Sequence, residues 1–283
     1  MKKNILVRIR QFPIFFRDII KKYIISRRKF QKTTKFRLCY FSCASYYKYL
    51  YCSLHSLKMV GFPVSAKIFI FCDKEQMFSD LQYRTIIELY PDLEIIPWEK
   101  AVGWEYKQIK AILAAYEYAS KGCNNEDYVA RIDSDLFFFE NWIFSLVAKS
   151  KANLVGDGHY IDFEYIQGGA YFCQVEYLKK IFRFLDKYSL SKFLDEIAIK
   201  VDDLAIFELM KKVKAKIWAT FFMMYPDEYR MAKSLKWYQR KKFCCFHLTR
   251  KDKSPMINMY KKEMLDKLDQ KEQDFFDKAL NCL

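Results

Sequence analysis

Between residues 36 and 133 the chain carries short, almost unbroken apolar runs separated by stretches of helical period, and this alternation limits its fold more than any other feature. Ala66–Cys72 (AKIFIFC) is apolar at nearly every position, and Phe36–Ala44 (FRLCYFSCA), Leu93–Pro97 and Tyr128–Ile132 are similar. A strand with one wet face alternates apolar and polar residues, whereas a strand buried on both faces does not. Between these runs lie Tyr46–Val60, with Leu50, Leu54 and Leu57 on one face, then residues 76–90 and Glu105–Ser120. That order predicts an α/β fold, a doubly wound and mostly parallel sheet with helices on both faces. Ligands of such sheets bind beyond the carboxyl ends of the strands. Asp73, Asp133 and Asp135 all fall at such ends.

After Asp135 the pattern becomes mixed. A helix is expected near Glu140–Lys149, short strands near Asn153–Gly156 and Gly169–Cys173, and helices over 175–187 and 203–213. Phe243–Leu248 reads as a late strand and residues 259–281 as one charge-laced helix. No internal repeat or low-complexity linker divides the chain. The expected organisation is a basic extension over 1–35, one domain over 36–255, and a C-terminal helix within 256–283 packed on it or beside it.

Charge is uneven. Residues 1–37 hold thirteen Lys or Arg against one acid, and residues 211–253 hold thirteen against three, within a net charge of +15. No zinc-finger, RNP or helix-turn-helix pattern accompanies these patches, so nucleic acid is not an expected partner. Up to residue 30, apolar residues recur at three-to-four spacing with basic residues between them, and no run reaches the length of a spanning helix. An amphipathic segment on an anionic membrane surface is expected, with a solvated basic tail as the alternative. Nine cysteines, mostly within apolar runs and none in a CxxC, read as buried hydrophobes of a reducing compartment. Together these features predict a cytoplasmic protein peripherally bound to the inner face of the membrane. Only seven glycines are present, and neither GxGxxG nor GxxxxGK[ST] occurs. Dinucleotide and P-loop chemistry therefore have no support.

Nineteen aspartates make one D-x-D triplet expected by chance, and one exists, so its context carries the argument. Asp133-Ser134-Asp135 closes the buried strand Val129–Ile132 and precedes Leu136–Phe139. Two carboxylates one residue apart at a strand's mouth can share a hard cation, Mn²⁺ or Mg²⁺, that bridges phosphate oxygens. A pair of solvated turn aspartates is the alternative.

Further segments follow in order: Gln167–Lys179 (QGGAYFCQVEYLK), Val201–Ala205 (VDDLA) and Phe246–Arg250 (FHLTR). With Tyr128–Phe138 (YVARIDSDLFF), they make the stretch from about Phe36 to Lys253 resemble the GT-A-fold glycosyltransferases. The resemblance implies transfer of a sugar from a nucleoside-diphosphate sugar, UDP-linked, to a saccharide or lipid-linked acceptor in cell-surface polysaccharide or lipopolysaccharide synthesis. It implies Asp133, Asp135 and His247 as metal ligands, and Asp203 or its neighbour Asp202 as the catalytic acid pair opening a helix near the acceptor. Asp202-Asp203 stands where Glu-Asp is commoner.

Donor contacts are expected from Ala44 and Tyr46 after the first strand, Trp104 and Lys107 at the start of a helix, and Arg131, Asp133 and Ser134. Gly168, Gly169 and Lys251 complete that set. Glycine admits close backbone approach to a ligand or a tight turn. Asp203 can act as general base or as a helix-terminal acid favoured by the dipole, and the two roles are compatible. His247 lies in an apolar strand, where a satisfied core histidine is the plainer reading, with Arg250, Lys251 and Lys253 just beyond it. His159 lies in a loop that would border the acceptor pocket. The rival readings are a nucleotidyltransferase, which would want a glycine- and lysine-rich loop where FSCASYYKYL stands, and a basic membrane- or nucleic-acid-binding protein.

Overall fold

The computed structural model describes residues 16–29, 34–62, 65–100, 106–158, 166–197, 200–225, 241–247, 254–265 and 268–281. Trp104, His159 and Lys251 lie outside the described residues. Helix α1 covers residues 16–26. The four apolar runs are strands β1 (Lys35–Ser42), β2 (Ser65–Asp73), β3 (Glu94–Trp98) and β4 (Tyr128–Asp133), all parallel. Their connections are α2 (Tyr47–Val60), α3 (Asp80–Leu89) and α4 (Tyr106–Ala119). Next come β5 (Leu136–Phe138), α5 (Trp142–Ser150), β6 (Leu154–Asp157) and β7 (Gln167–Gln174). Helices α6 (Val175–Lys187), α7 (Leu190–Glu196) and α8 (Asp202–Lys212) precede the strands β8 (Ile217–Thr220), β9 (Met223–Met224) and β10 (Cys245–His247).

The main sheet has seven strands in the order β3-β2-β1-β4-β7-β6-β8. β7 alone runs against the others, antiparallel to both β4 and β6. Strand β1 explains the unbroken apolar runs. Phe36, Leu38 and Tyr40 join the core on one face of the sheet, while Cys39 and Phe41 join the core on the other. Because a strand turns successive side chains to opposite faces, a polar residue at either parity would be stranded without water. The first core packs α2, α5 and the C-terminal helices, and the second packs α4, α6 and α8.

The C-terminal region differs from the single helix expected over 259–281. It forms α9 (Ser254–Met264) and α10 (Gln270–Leu280). Asp269 caps α10, accepting from the Glu272 N–H while the Glu272 side chain accepts from the Asp269 N–H. This reciprocal capping starts a new helix and stops the old one from running through. Both helices pack on α2, where Tyr260 and Phe276 stack at 5.3 Å and meet His55.

His55 ties α2 to α9 through a 2.5 Å hydrogen bond between Nδ1 and the Tyr260 hydroxyl. Burial, with a smaller contribution from Lys58, depresses its pKa to about 4. The folded value lies below the ordinary 6.5, so this stabilisation is complete above pH 6.5 and is lost as pH falls towards 4. About 3 kcal/mol is expected to disappear across that window. Urea melts at pH 7 and pH 4.5 should show the loss in the wild type and a smaller one in His55→Phe.

Candidate active site

The carboxyl ends of the parallel strands form one rim. Phe41 of β1 stands level with Asp133 of β4, so the single helical turn Ala44–Tyr46 leaves β1 beside the acidic triplet. Burial raises the Tyr46 pKa, and the charges of Asp135, Cys43 and Asp133 raise it further. Because β7 is antiparallel, with Ala170 opposite Ile132, its amino end at Gln167–Gly169 reaches the same rim.

His247 arrives by a separate device. Strands β5, β10 and β9 form a small second sheet in which β10 pairs antiparallel with β5, His247 opposite Leu136. Leu136 directly follows Asp135, so this register sets the imidazole against the triplet. Nε2 of His247 lies 3.5 Å from Asp133 Oδ2 and 3.5 Å from Asp135 Oδ1. Among the described residues, these three form the group able to hold a metal ion, with ligand atoms within 4.8 Å of one another. Burial acts to lower the His247 pKa, but hydrogen bonds and charge from both aspartates overcome it and push the value up to about 9.

Arg131 organises the acids. Its Nε donates to Asp133 Oδ1 at 3.0 Å and its guanidinium pairs with Asp202, the first residue of α8. Its guanidinium also lies over the Phe41 ring at 5.8 Å. Arg131 therefore clamps the metal-side carboxylate to the start of α8 and leaves Asp203 as the acid of the pair without this partner. Asp203 accepts from the Leu204 N–H at 2.8 Å, and burial, ahead of every other influence, raises its pKa. The Ser134 hydroxyl is buried and donates to the Phe41 carbonyl at 3.1 Å, pinning the triplet's turn to β1.

No protein-family model matches the sequence, and no curated protein matches it. Solved structures do. The bifunctional glycosyltransferase WbbM in its apo form aligns with 89% of the chain at a TM-score of 0.52 and 12% identity. The apo glycosyltransferase GlyE of Streptococcus pneumoniae TIGR4 aligns with 88% at a TM-score of 0.50 and 11% identity. The chain has a GT-A-type glycosyltransferase fold. It spans 52% of WbbM and 63% of GlyE. The galactosyltransferase LgtC, solved with donor and acceptor sugar analogs, aligns with 84% of the chain and 99% of its own at a TM-score of 0.49 and 10% identity.

Within this GT-A-type fold, the residues present suit a divalent cation. Donor atoms that share such a cation lie about 3 Å apart, close to the 3.5 Å between the imidazole nitrogen and either carboxylate oxygen. A cation taking that place must displace the imidazolium proton, since only neutral His ligates. Sequence-expected residues are unevenly placed around it. Ala44, Tyr46, Gly168 and Gly169 belong to the rim, whereas Lys107 is exposed in the first turn of α4. Tyr225, which no local pattern singled out, lies 6.0 Å from the His247 ring and donates to the buried Asp157 at 3.4 Å.

The two glycines of the GT-A-type site have distinct neighbours. A Cβ on Gly168 would meet Asp203 Oδ2 at 3.1 Å, and one on Gly169 would meet His247 Nδ1 at 2.5 Å and Cε1 at 2.7 Å. The second distance leaves no room for a methyl group beside a buried ring. Gly169→Ala is expected to cost about 1–3 kcal/mol in a denaturant melt. It should also weaken Mn²⁺ binding about 10–100-fold by calorimetry, because the ligand ring is displaced.

Proposed function

We propose that the chain moves a sugar from a nucleoside-diphosphate sugar, UDP-linked, to a hydroxyl of a saccharide or lipid-linked acceptor, in synthesis of a cell-surface polysaccharide or lipopolysaccharide. The observation that carries this reading is the meeting of the Asp133 and Asp135 carboxylates with the His247 imidazole at the carboxyl rim of a GT-A-type sheet. Asp133, Asp135 and His247 would hold Mn²⁺ or Mg²⁺, whose charge would offset that of the departing diphosphate.

The chain's own residues supply the remainder. Arg131 fixes the rotamer of Asp133, so that carboxylate is set before the donor arrives. Tyr46, 39% exposed on the acidic side of the rim, offers an aromatic face for the base. Asp203, raised by burial, is the stronger of the two available bases, because Asp202 is occupied by Arg131. In an inverting transfer Asp203 takes the acceptor's proton as the acceptor oxygen bonds the anomeric carbon and the bond to the diphosphate oxygen breaks. The rim glycines allow backbone to come close to the sugar. Nothing in FSCASYYKYL supports the nucleotidyltransferase alternative.

Hydrolysis of UDP-hexose, with water as acceptor, tests the proposal. Turnover should need Mn²⁺, stop with a chelator and return when metal is restored. Metal-independent turnover would remove the reading. Asp203→Asn should lower the rate about 10²-fold if Asp203 is the base. An unchanged rate would instead assign a retaining transfer that needs no such group.

A further inference from the structure

Helix α1 is inside out. Residues Phe16, Ile19, Ile20, Tyr23 and Ile24 recur at the spacing of a single helical face, the pattern that ordinarily packs on a core. Here that face is turned to solvent, with Ile19 54%, Ile20 43%, Tyr23 56% and Ile24 54% exposed. The face turned inward carries charge beside the core residue Ile25, which is 3% exposed. Buried Asp18 accepts from the Thr220 hydroxyl at 3.0 Å and the Phe221 N–H at 3.2 Å, and pairs with Lys22 at 3.2 Å. Lys22 in turn donates to the Phe221 carbonyl. These bonds fix the helix's rotation, so the outward apolar ridge is part of the fold.

Cation-lined grooves flank the ridge. Arg17, Lys21, Arg28 and Lys216 line a cavity of about 350 Å³ on one side, together with Trp218. Lys149, Lys241 and Lys242 line one of about 460 Å³ on the other. Among the described residues no carboxylate lines either groove. An apolar ridge between strips of like charge has one natural complement: acyl chains beneath a layer of anionic headgroups. A second copy of the chain would bring these basic grooves against each other, which opposes pairing. Eleven helical residues span about 16 Å, so the helix lies along a surface rather than across a bilayer. No described helix is long and apolar enough to cross one.

We infer that α1 is a rigid membrane-docking ridge, inserting Ile19, Ile20, Tyr23 and Ile24 below the headgroups of an anionic bilayer whose phosphates occupy the grooves through Arg17, Arg28, Lys216 and Lys149. This differs from a flexible basic tail, since the orientation of the whole domain on the membrane is set by Asp18. The inference is independent of the transferase reading and fails separately from it.

Full-length protein is sedimented with vesicles of phosphatidylcholine alone and of phosphatidylcholine mixed with phosphatidylglycerol. The wild type should pellet with the mixed vesicles and be released by added salt. The variant Ile19→Gln, Ile20→Gln, Ile24→Gln keeps good helix formers on an exposed face. It should keep the wild-type melting temperature and bind at least about tenfold more weakly. Arg28→Glu with Lys216→Glu should weaken binding to mixed vesicles alone. Equal binding by the glutamine variant overturns the inference. So does a wild type that ignores vesicles but forms a dimer which the glutamine variant dissolves, because the ridge then belongs to a second copy.

Discussion

Asp135→Ala is expected to remove Mn²⁺-dependent turnover of UDP-hexose, a loss of about 10³-fold or more. Asp135 is 6% exposed and lies 3.5 Å from the His247 imidazole, so no neighbouring side chain or water can readily take its place as a ligand. Two measurements separate loss of the site from loss of the fold. Wild-type protein should melt higher in saturating Mn²⁺, by about 2.7 kcal/mol of stabilisation at a hundred times the Kd, while the variant should not respond. Metal-free, the variant should still melt cooperatively but somewhat lower than the wild type at neutral pH, since the buried His247 imidazolium loses one of its two carboxylate partners. A variant that retains Mn²⁺-dependent turnover would disprove the ligand assignment.

Arg131→Met is expected to produce the largest loss of stability, about 3–5 kcal/mol in chemical denaturation. The guanidinium serves Asp133 and Asp202 at once, and the side chains of Arg131 and Asp202 are only 11% and 13% exposed. Removing it leaves Asp202 without its counter-charge and Asp133 with the His247 imidazole alone, while Asp203 adds a further acid nearby. The double variant Arg131→Met, Asp202→Asn should recover a good part of the stability, because one stranded charge is gone. Catalysis should not recover with it, since Asp133 would still lack the donor that orients it. If the single variant melts within about 1 kcal/mol of wild type, the clamp is a surface pair of little weight.

The sheet was legible because burial on both faces leaves a mark that needs no partner to read. Runs such as AKIFIFC predicted β2 to within a residue at each end. Of the strands of two to four residues, β6 and β10 were expected from their apolar runs, while β5, β8 and β9 were not. β5 is LFF and β9 is only Met223–Met224, too short for any period, and both are held by the distant strand β10, with Cys245 opposite Phe138 on one side and Met223 on the other. The acids at 133 and 135 could be placed at a strand end from sequence. That His247 meets them follows from the register of β10 on β5, which no local pattern encodes. Arg131 was expected among donor contacts, but the structure surrounds it with Asp133 and Asp202. In α1 the usual rule for an amphipathic helix points the wrong way, because the face that turns inward holds buried Asp18 with Ile25, while four larger hydrophobic side chains turn out.

The small β5-β10-β9 sheet has a consequence for how the molecule matures. Its strands are drawn from residues 136–138, 223–224 and 245–247, so the imidazole reaches the acids only after residue 247 has emerged from the ribosome. A nascent chain ending before Cys245 has the two carboxylates and the central strands but cannot complete the ligand trio. Completion of the trio is thereby tied to a long-range pairing between residues 136–138 and 245–247 rather than to the strand that carries the acids.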